Sequence, residues 1–170
     1  MSCSLTKNFT LGCKEYAGGI SEIKVKAFPI TDSDFTIGAG NNVTIATGSQ
    51  TGWFKYEFRK EVASLVSTAT ANPQNATLFY NSDLKFSLEN FDASDSAELH
   101  SLLKARVLVA IKTNAGKYFL LGLFNGADTT SVVAQTGTAF GDRFGYEVTI
   151  NYKDITPIYE IDANTYNALS

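Results

Sequence analysis

The feature that most limits how this chain can fold is a strict two-residue alternation between Trp53 and Lys60. Aromatic side chains alternate there with charged ones: the aromatic set is Phe54, Tyr56 and Phe58, and the charged set is Lys55, Glu57 and Arg59. Successive side chains of a β-strand point to opposite faces, so this pattern predicts a strand with one face in a core. We expect the aromatic set to face the core and Trp53, at the strand start, to face a neighbouring subunit.

Other segments repeat the β-type pattern. Residues 20–28 alternate apolar and charged side chains, and residues 144–152 alternate from Phe144 to Tyr152. Two hairpins are predicted, over 35–51 and over 107–124, the second with two long apolar strands that we expect to be central. Residues 76–91 are predicted to be a strand broken by a turn or bulge at 81–83, and residues 125–142 a loop.

One helix is predicted, from about Ser94 to Ala105. Asp92, Ser94 and Asp95 are N-cap candidates, and Leu99, Leu102 and Leu103 form an apolar stripe at helical spacing. The chain shows no strand–helix–strand rhythm, no repeat and no linker. The sequence therefore predicts a mainly β fold, an antiparallel β-sandwich or barrel with one packed α-helix. We divide it into an N-terminal arm (1–19), a single β-rich domain (20–162) and a C-terminal tail (163–170).

Composition agrees with a β protein and argues against several function classes. Charged residues make up 18% of the 170 residues, below the usual fraction of about 25%, and Ser, Thr and Asn take their place. The net charge of −3 and the absence of a basic patch are not typical of a nucleic-acid-binding protein. No signal peptide and no apolar run of membrane-spanning length occur in the sequence, which favours a product made in the cytoplasm.

The sequence contains few candidate catalytic residues. The single histidine, His100, lies in the predicted helix without a nucleophile motif, so we interpret it as an exposed helix residue. The pairs Asp32/Asp34 and Asp92/Asp95 are the candidate acid–base carboxylates of a small hydrolase, but turns and helix caps also favour aspartate at such positions. Gly38–Asn42 lacks the third glycine of a dinucleotide fingerprint and is interpreted as a turn.

Metal and cofactor sites are not predicted. One histidine and two cysteines, Cys3 and Cys13, are too few for a transition-metal site. The two cysteines lie ten residues apart, and we interpret them as reduced thiols, with a disulfide between them as the alternative. We predict no catalytic residue, no metal and no cofactor.

The N-terminal segment resembles a known class of proteins. A short arm with Cys3-Ser4-Leu5-Thr6, then Leu11-Gly12-Cys13-Lys14, leads through Gly18-Gly19-Ile20 into the first strand. This segment resembles virion structural proteins of phages that infect Bacteroidetes, including crAss-like phages. The remainder, with long strands and one helix before a central hairpin, is similar in architecture to tail-tube proteins.

The resemblance implies a non-enzymatic virion protein that forms a homo-oligomeric ring or tube, with hexamer-type symmetry, through which genomic DNA passes without specific binding. It also implies contacts with other phage tail or connector proteins and none with a membrane. The arm from Cys3 to Tyr16, the loop near 67–75 and the loop 128–142 are the expected subunit contacts, with ordinary flexible loops as the alternative. The interface candidates are Cys3, Leu5, Phe9, Leu11, Cys13, Trp53, Pro73, Val132, Val133 and Phe140. Lys55, Glu57 and Arg59 are candidates for the lumen or an interface.

Two other functions remain open at the sequence level. A capsid-decorating or carbohydrate-binding β-sandwich would have exposed aromatic side chains that form a groove. A hydrolase would need Asp32 or Asp92 in a cleft. The tail-tube, tail-completion and connector roles share one type of sheet, so the sequence does not separate them.

Overall fold

A computed structural model describes residues 7–10, 14 and 16–170, and the side chain of Asp32 lies outside that description. Within the described residues the chain forms a mixed β-sheet of eleven strands that folds over itself as a β-sandwich with packed helices. The strands are β1 (Ile20–Ala27), β2 (Phe35–Ile37), β3 (Asn42–Ile45), β4 (Phe54–Glu57), β5 (Ala63–Asn72), β6 (Thr77–Glu89), β7 (Arg106–Thr113), β8 (Tyr118–Leu121), β9 (Ala127–Gln135), β10 (Gly145–Asp154) and β11 (Tyr159–Ile161). The helices are α1 (Ala93–Lys104) and α2 (Ala163–Ala168).

Strand β7 is the centre of the fold because it is buried on both faces. Val107, Val109 and Ile111 belong to one hydrophobic core, whereas Leu108 and Ala110 belong to a second core on the opposite side. All five are 3% exposed or less. This explains the uninterrupted apolar run of β7, and it confirms the prediction that this strand is central.

The sheet branches at β7. Its first edge pairs with β1 from Val107 to Thr113. Its second edge is shared, because β8 pairs with residues 109–112 and β9 pairs with residues 106–107. From β9 the sheet continues through β10 and β6 to β5, and from β8 it continues through β11 and β3 to β2.

The first core lies between strands β1 and β7 on one side and the β9–β10–β6–β5 part of the sheet on the other. Ile23 and Val25 of β1 contribute to it from one side, and Phe86 of β6 and Val148 of β10 from the other. Helix α1 packs against β9 and adds Leu99 and Leu102. Its start is capped as predicted, since the Asp92 side chain accepts a hydrogen bond of 2.8 Å from the Asp95 amide. Leu103, the third residue of the predicted stripe, is 43% exposed.

The second core is completed by the C-terminal residues. Residues 163–170 are predicted as a tail, but they contain α2, and Tyr166 and Leu169 are 1% and 2% exposed. The ammonium of Lys24 donates hydrogen bonds to the Tyr166 carbonyl at 3.0 Å and to the Leu169 carbonyl at 2.7 Å. The bond to Leu169 satisfies a carbonyl group that the end of a short helix leaves free, and the bond to Tyr166 adds to the one that this carbonyl accepts from the Leu169 amide at 3.3 Å.

Three other segments differ from the predictions. The predicted loop over 125–142 contains strand β9, which pairs with β10 from Asp128 to Gln135. The predicted break at 81–83 is absent from β6, which runs unbroken from Thr77 to Glu89. Most of the predicted loop over 67–75 belongs to β5, so only the residues between β5 and β6 form a turn.

The alternation around Trp53 has the predicted phase, but the burial of its first two residues differs from the prediction. Trp53 is 6% exposed, belongs to the second core and donates its indole N–H to the Ser49 carbonyl at 3.1 Å. Phe54, predicted to be in the core, is 62% exposed. Tyr56 and Phe58 are partly buried against Phe86 of the first core, as the pattern predicts. Phe54 lies on the same side as Tyr56 but at the margin of the first core, whereas the opposite side of the chain meets the second core at Trp53.

Candidate assembly surfaces

The four-stranded part of the sheet, β9–β10–β6–β5, has on each side an edge that pairs with no described strand over most of its length, and helix α1 packs against β9. Among the described strands β5 pairs only with β6, so its other edge is free over ten residues. Strand β9 pairs with β7 only at Ala127 and Asp128, and no described strand pairs with this edge from 129 to 135. Unpaired strand edges present rows of N–H and C=O groups that can accept another strand.

The strand directions at these two edges are complementary. Strands β9, β10, β6 and β5 are each antiparallel to their neighbour, so β9 and β5 run in opposite directions. If β5 of one copy lies beside β9 of another copy in the same orientation, the new pair is antiparallel. The four-stranded sheet would then continue from copy to copy without a change of pattern.

The β5–β6 hairpin extends away from both cores. From Ser67 to Phe79 every residue is exposed, and no charged residue occurs from 62 to 82. Its exposed apolar side chains include Val66 and Leu78, which are 59% and 50% exposed. Pro73 lies in the exposed turn of this hairpin. Soluble proteins commonly protect an edge with charged residues, and the sequence of β5 contains none.

The outer face of the four-stranded sheet is polar and carries charges of both signs. Asn151 of β10 donates hydrogen bonds to Asn81 at 2.8 Å and to Asp83 at 2.6 Å, which links β10 to β6. These bonds account for the polar triplet 81–83 inside a strand, because two of its side chains face outward and Ser82 is buried against Ser67. The charged side chains of β6 and β10 on this face are Asp83, Lys85, Glu89, Glu147 and Lys153.

An apolar groove of about 650 Å³ lies at the end of β10. Its wall includes Phe79, Phe124 and Ile155, which are 39%, 43% and 71% exposed. Tyr159 forms the floor, and its ring lies 6.0 Å from that of Phe124 in an edge-to-face arrangement. Lys153, Asp154 and Thr156 supply polar groups at the rim. The groove is not predicted from the sequence, because its residues come from three separated segments.

The loop between β9 and β10 holds a fully exposed phenylalanine. Phe140 has a relative exposure of 114%, the highest among the exposed large hydrophobic residues of the described chain. The loop is ordered by Asp142, whose Oδ2 accepts hydrogen bonds of 2.8 Å from the Thr138 and Ala139 amides. The Ala139 and Thr138 amides lower the pKa of the Asp142 carboxyl group. Gly137 has a φ of +69°, which suits the tight course of the chain.

The other interface candidates have mixed positions. Phe9 is 95% exposed, whereas Cys3, Leu5, Leu11 and Cys13 lie outside the described residues. Val133 is 49% exposed, and Val132 is partly buried against the first core. Trp53 is buried within its own subunit, so its predicted role as a subunit contact is wrong.

The charged set Lys55, Glu57 and Arg59 is exposed, at or just after an edge strand. The Lys55 ammonium forms an ion pair with Glu57, and Arg59 contacts Glu89 at 2.7 Å. The bond from Lys55 lowers the pKa of the Glu57 carboxyl group. Because β4 pairs only with β1 among the described strands, these residues do not belong to the four-stranded sheet.

The candidate catalytic carboxylates have structural partners. Asp92 caps α1, and hydrogen bonds from the Asp95 amide and the Ser94 hydroxyl lower its pKa. Bonds from the Ser49 and Thr31 side chains lower the pKa of Asp34 to about 2. His100 is exposed on α1, as predicted. No group of three potential metal ligands and no helix long and apolar enough to cross a membrane occurs within 7–10, 14 and 16–170.

No family model, no curated protein and no solved structure matches this chain. Four structural features therefore bear on its function: the unpaired edges, the outer sheet face, the groove and the Phe140 loop.

Proposed function

We propose that this chain is a non-enzymatic structural subunit of a phage particle, of the tail-tube kind, which assembles with copies of itself into a ring or tube. In this proposal β5 of each copy pairs with β9 of the next copy. The contact uses two different surfaces, so it is head-to-tail, and a head-to-tail contact forms a ring when its rotation closes. The resemblance of the N-terminal arm to phage virion proteins supports this assignment.

The observation that carries the proposal is the pair of open, oppositely directed edges on one four-stranded sheet. A ten-residue edge strand without charge or proline is a liability for a monomer, because it can pair with any extended chain. Closure into a ring pairs every such edge and removes the liability. The uncharged hairpin surface supports the same conclusion, since charge is depleted at the centre of protein interfaces.

The outer face of the four-stranded sheet would then line the lumen, instead of Lys55, Glu57 and Arg59. Its charges on β6 and β10 are three acidic and two basic side chains, and its remaining positions include Asn81, Thr149 and Asn151. Affinity for DNA depends mainly on clustered basic residues that neutralise phosphates. A hydroxyl- and amide-rich wall with a small excess of acidic groups fits DNA passage without specific binding.

The experiment compares the wild-type chain with Ala69→Lys/Ala71→Lys by mass photometry and negative-stain electron microscopy. Both alanines are exposed on β5, and lysine on a free edge opposes strand pairing. We expect closed rings from the wild type and monomers from the variant, with the same melting temperature for both.

A matched control carries the same added charge elsewhere. Ala97→Lys/Asn167→Lys changes exposed positions on α1 and α2, and we expect it to form rings like the wild type. A wild-type chain that stays monomeric at high concentration and is missing from purified virions would refute the proposal. Rings that survive the β5 lysines would refute the edge contact.

A second candidate function is a capsid-decorating or carbohydrate-binding module. The observation in its favour is the groove, where the exposed rings of Phe79 and Phe124 lie near Asp154 and Thr156. Sugar-binding sites combine aromatic faces with hydrogen-bonding groups of this kind. Glycan-array binding that is lost in Phe124→Ala, from a chain that remains monomeric, would favour this candidate over the tube.

A further inference from the structure

We propose that the groove at the end of β10 receives the Phe140 loop of another copy of this chain, and that this contact stacks copies along the strand direction. The inference deepens the proposed function, because it concerns contacts between successive rings and not those within a ring. Its evidence is separate from the open edges. It consists of the exposed Phe140 loop (the knob), the apolar groove lined by Phe79, Phe124, Ile155 and Tyr159 (the hole) and the placement of the two at opposite ends of β10.

The knob is ordered before any contact forms. Asp142 accepts two amide hydrogen bonds from Thr138 and Ala139, and the Asp142 amide donates to the Ala139 carbonyl at 3.0 Å. These bonds close a short loop around Phe140, whose ring is completely exposed. An isolated exposed phenylalanine on a mobile loop needs no explanation, but a bonded loop loses less entropy on binding.

The hole has the size and lining that an aromatic side chain requires. A volume of about 650 Å³ is within the usual range of roughly 300–1,000 Å³ for binding pockets. Its apolar wall, formed by Phe79, Phe124, Ile155 and Tyr159, offers edge and face contacts to a further ring. Buried aromatic anchors seated in such pockets supply most of the energy at many protein interfaces.

The positions of knob and hole determine the kind of assembly. The Phe140 loop precedes Gly145 at the start of β10, and the groove includes Lys153–Thr156 at its end. Ten residues of β-strand span roughly 30 Å, so the two features lie at opposite ends of the subunit's long sheet. A copy therefore cannot fill its own groove with this loop. A knob at one end and a hole at the other form a head-to-tail contact, which extends as a stack.

The charged residues beside the Phe140 loop are Asp142 and Arg143, and those at the groove are Lys153 and Asp154, so each end can offer a partner of opposite sign to the other. Lys153 at the groove rim is exposed and forms no ion pair within the described part of the chain. Asp142 beside the knob is exposed and uses Oδ2 for the loop amides, which leaves Oδ1 available. Seating Phe140 in the groove of the next copy would bring this carboxylate toward the Lys153 ammonium. Such rim pairs orient a contact more than they strengthen it.

Cysteine cross-linking tests the contact directly. In a Cys3→Ser/Cys13→Ser background, a Gly141→Cys protein, which keeps the Phe140 ring, is mixed with an Ile155→Cys protein under mild oxidation. We expect disulfide-linked dimers to form about tenfold faster than with Gly48→Cys in place of Gly141→Cys, because docking raises the local thiol concentration. Gly48 and Gly141 are both exposed, and a Cβ at either position would have no heavy atom within 4 Å, so Gly48 is a matched control. The Gly141→Cys/Ile155→Cys double variant should produce a ladder of higher oligomers.

Cross-linking no faster than the Gly48→Cys control would overturn the inference, whatever the state of the rings. The ring proposal can fail separately. If the chain never forms rings and the cross-links form equally fast in the Ala69→Lys/Ala71→Lys background, the copies stack but do not form a tube. Electron microscopy of Phe140→Ala adds a second measurement. We expect single rings in place of tubes, and tubes of wild-type length would count against the contact.

Discussion

The carbonyl oxygen of Val107 lies 2.5 Å from the position that a Cβ atom on Gly122 would occupy. Gly122 follows β8, close to the point where β8 and β9 share one edge of β7, and its φ is +88°. Backbone approaches this close only because glycine has no side chain. We expect Gly122→Ala to destabilise the protein by about 3 kcal/mol, combining an unfavourable φ with a clash against backbone. Urea unfolding measures the change.

Gly116 separates the two causes in that prediction. Its φ is +76°, but a Cβ there would have no heavy atom within 4 Å. Gly116→Ala should therefore cost only the conformational term, about 1 kcal/mol. Equal losses in the two variants would show that the contact with Val107 is unimportant.

Lys24 is expected to stabilise the C-terminal helix. Its ammonium donates to the carbonyls of Tyr166 and Leu169, and it lies 4.8 Å from the centre of the Tyr166 ring. Burial lowers the pKa of Lys24, and the carbonyl bonds offset the cost of burying its charge. We expect Lys24→Met to destabilise the protein by about 2 kcal/mol, because it leaves the Leu169 carbonyl without a donor and removes the shorter of two bonds to the Tyr166 carbonyl. Thermal unfolding monitored by circular dichroism measures this.

The control for that variant is Lys85→Met, on the exposed outer face of β6. Surface changes of this kind usually alter stability by about 0.5 kcal/mol or less. A Lys24→Met protein as stable as Lys85→Met would contradict the role given to the ammonium.

Acid should weaken the cap of α1. Hydrogen bonds from the Asp95 amide and the Ser94 hydroxyl depress the folded-state pKa of Asp92 below its ordinary value of 3.8. A depressed carboxyl pKa contributes stability that is fully present above the unfolded value of about 3.9 and is lost as pH falls through the folded value. We expect Asp92→Asn, which retains a capping oxygen without titrating, to lose less stability than the wild type between about pH 4 and pH 2.

Unfolding curves collected in small pH steps test this prediction. Asp92→Ala serves as the reference without a cap, and it should be less stable than the other two at neutral pH. Parallel acid profiles for wild type and Asp92→Asn would mean that other carboxyl groups govern the acid transition.

The fluorescence of Trp53 is expected to report on the second core and to be unaffected by assembly. Trp53 is the one tryptophan of the chain, it is 6% exposed, and its N–H is bonded to Ser49. Its fluorescence maximum should stay constant between monomer and ring, and Trp53→Phe should cost about 2 kcal/mol through the lost bond and volume. An emission shift on assembly would instead place Trp53 at a subunit contact.

The sequence predicted most of the elements whose two faces differ clearly. Helix α1 and its Asp92 cap, the alternation of β1 and the β7–β8 hairpin follow from local spacing. The burial of Trp53 was not predicted because alternation shows that two faces differ but not whether each one meets a core. With cores on both sides, Trp53 enters the second core while Tyr56 contacts the first.

Long-range pairing accounts for the elements that were missed. Strand β9 consists of ADTTSVVAQ, whose polar residues suggest a loop until β10 supplies hydrogen bonds on one side. The polar triplet in β6 looked like a turn because its partner Asn151 is about 70 residues away in the sequence. Helix α2 has six residues, too few for a helical period to be recognised.

The candidate surfaces were predicted only in part. Phe140 and Val133 are exposed, as an interface candidate must be, whereas Trp53 is buried. Neither the groove nor the complementary edges could be inferred from spacing. Both depend on which strands become neighbours, and the topology alone determines that.

Because β7 is buried on both faces, the two hydrophobic cores are expected to unfold together. Because each hydrophobic layer includes alternate residues of this one strand, neither layer can separate from it while the other remains intact. Amide hydrogens of residues 107–111 should consequently exchange with deuterium only through complete unfolding, at the slowest rate in the chain.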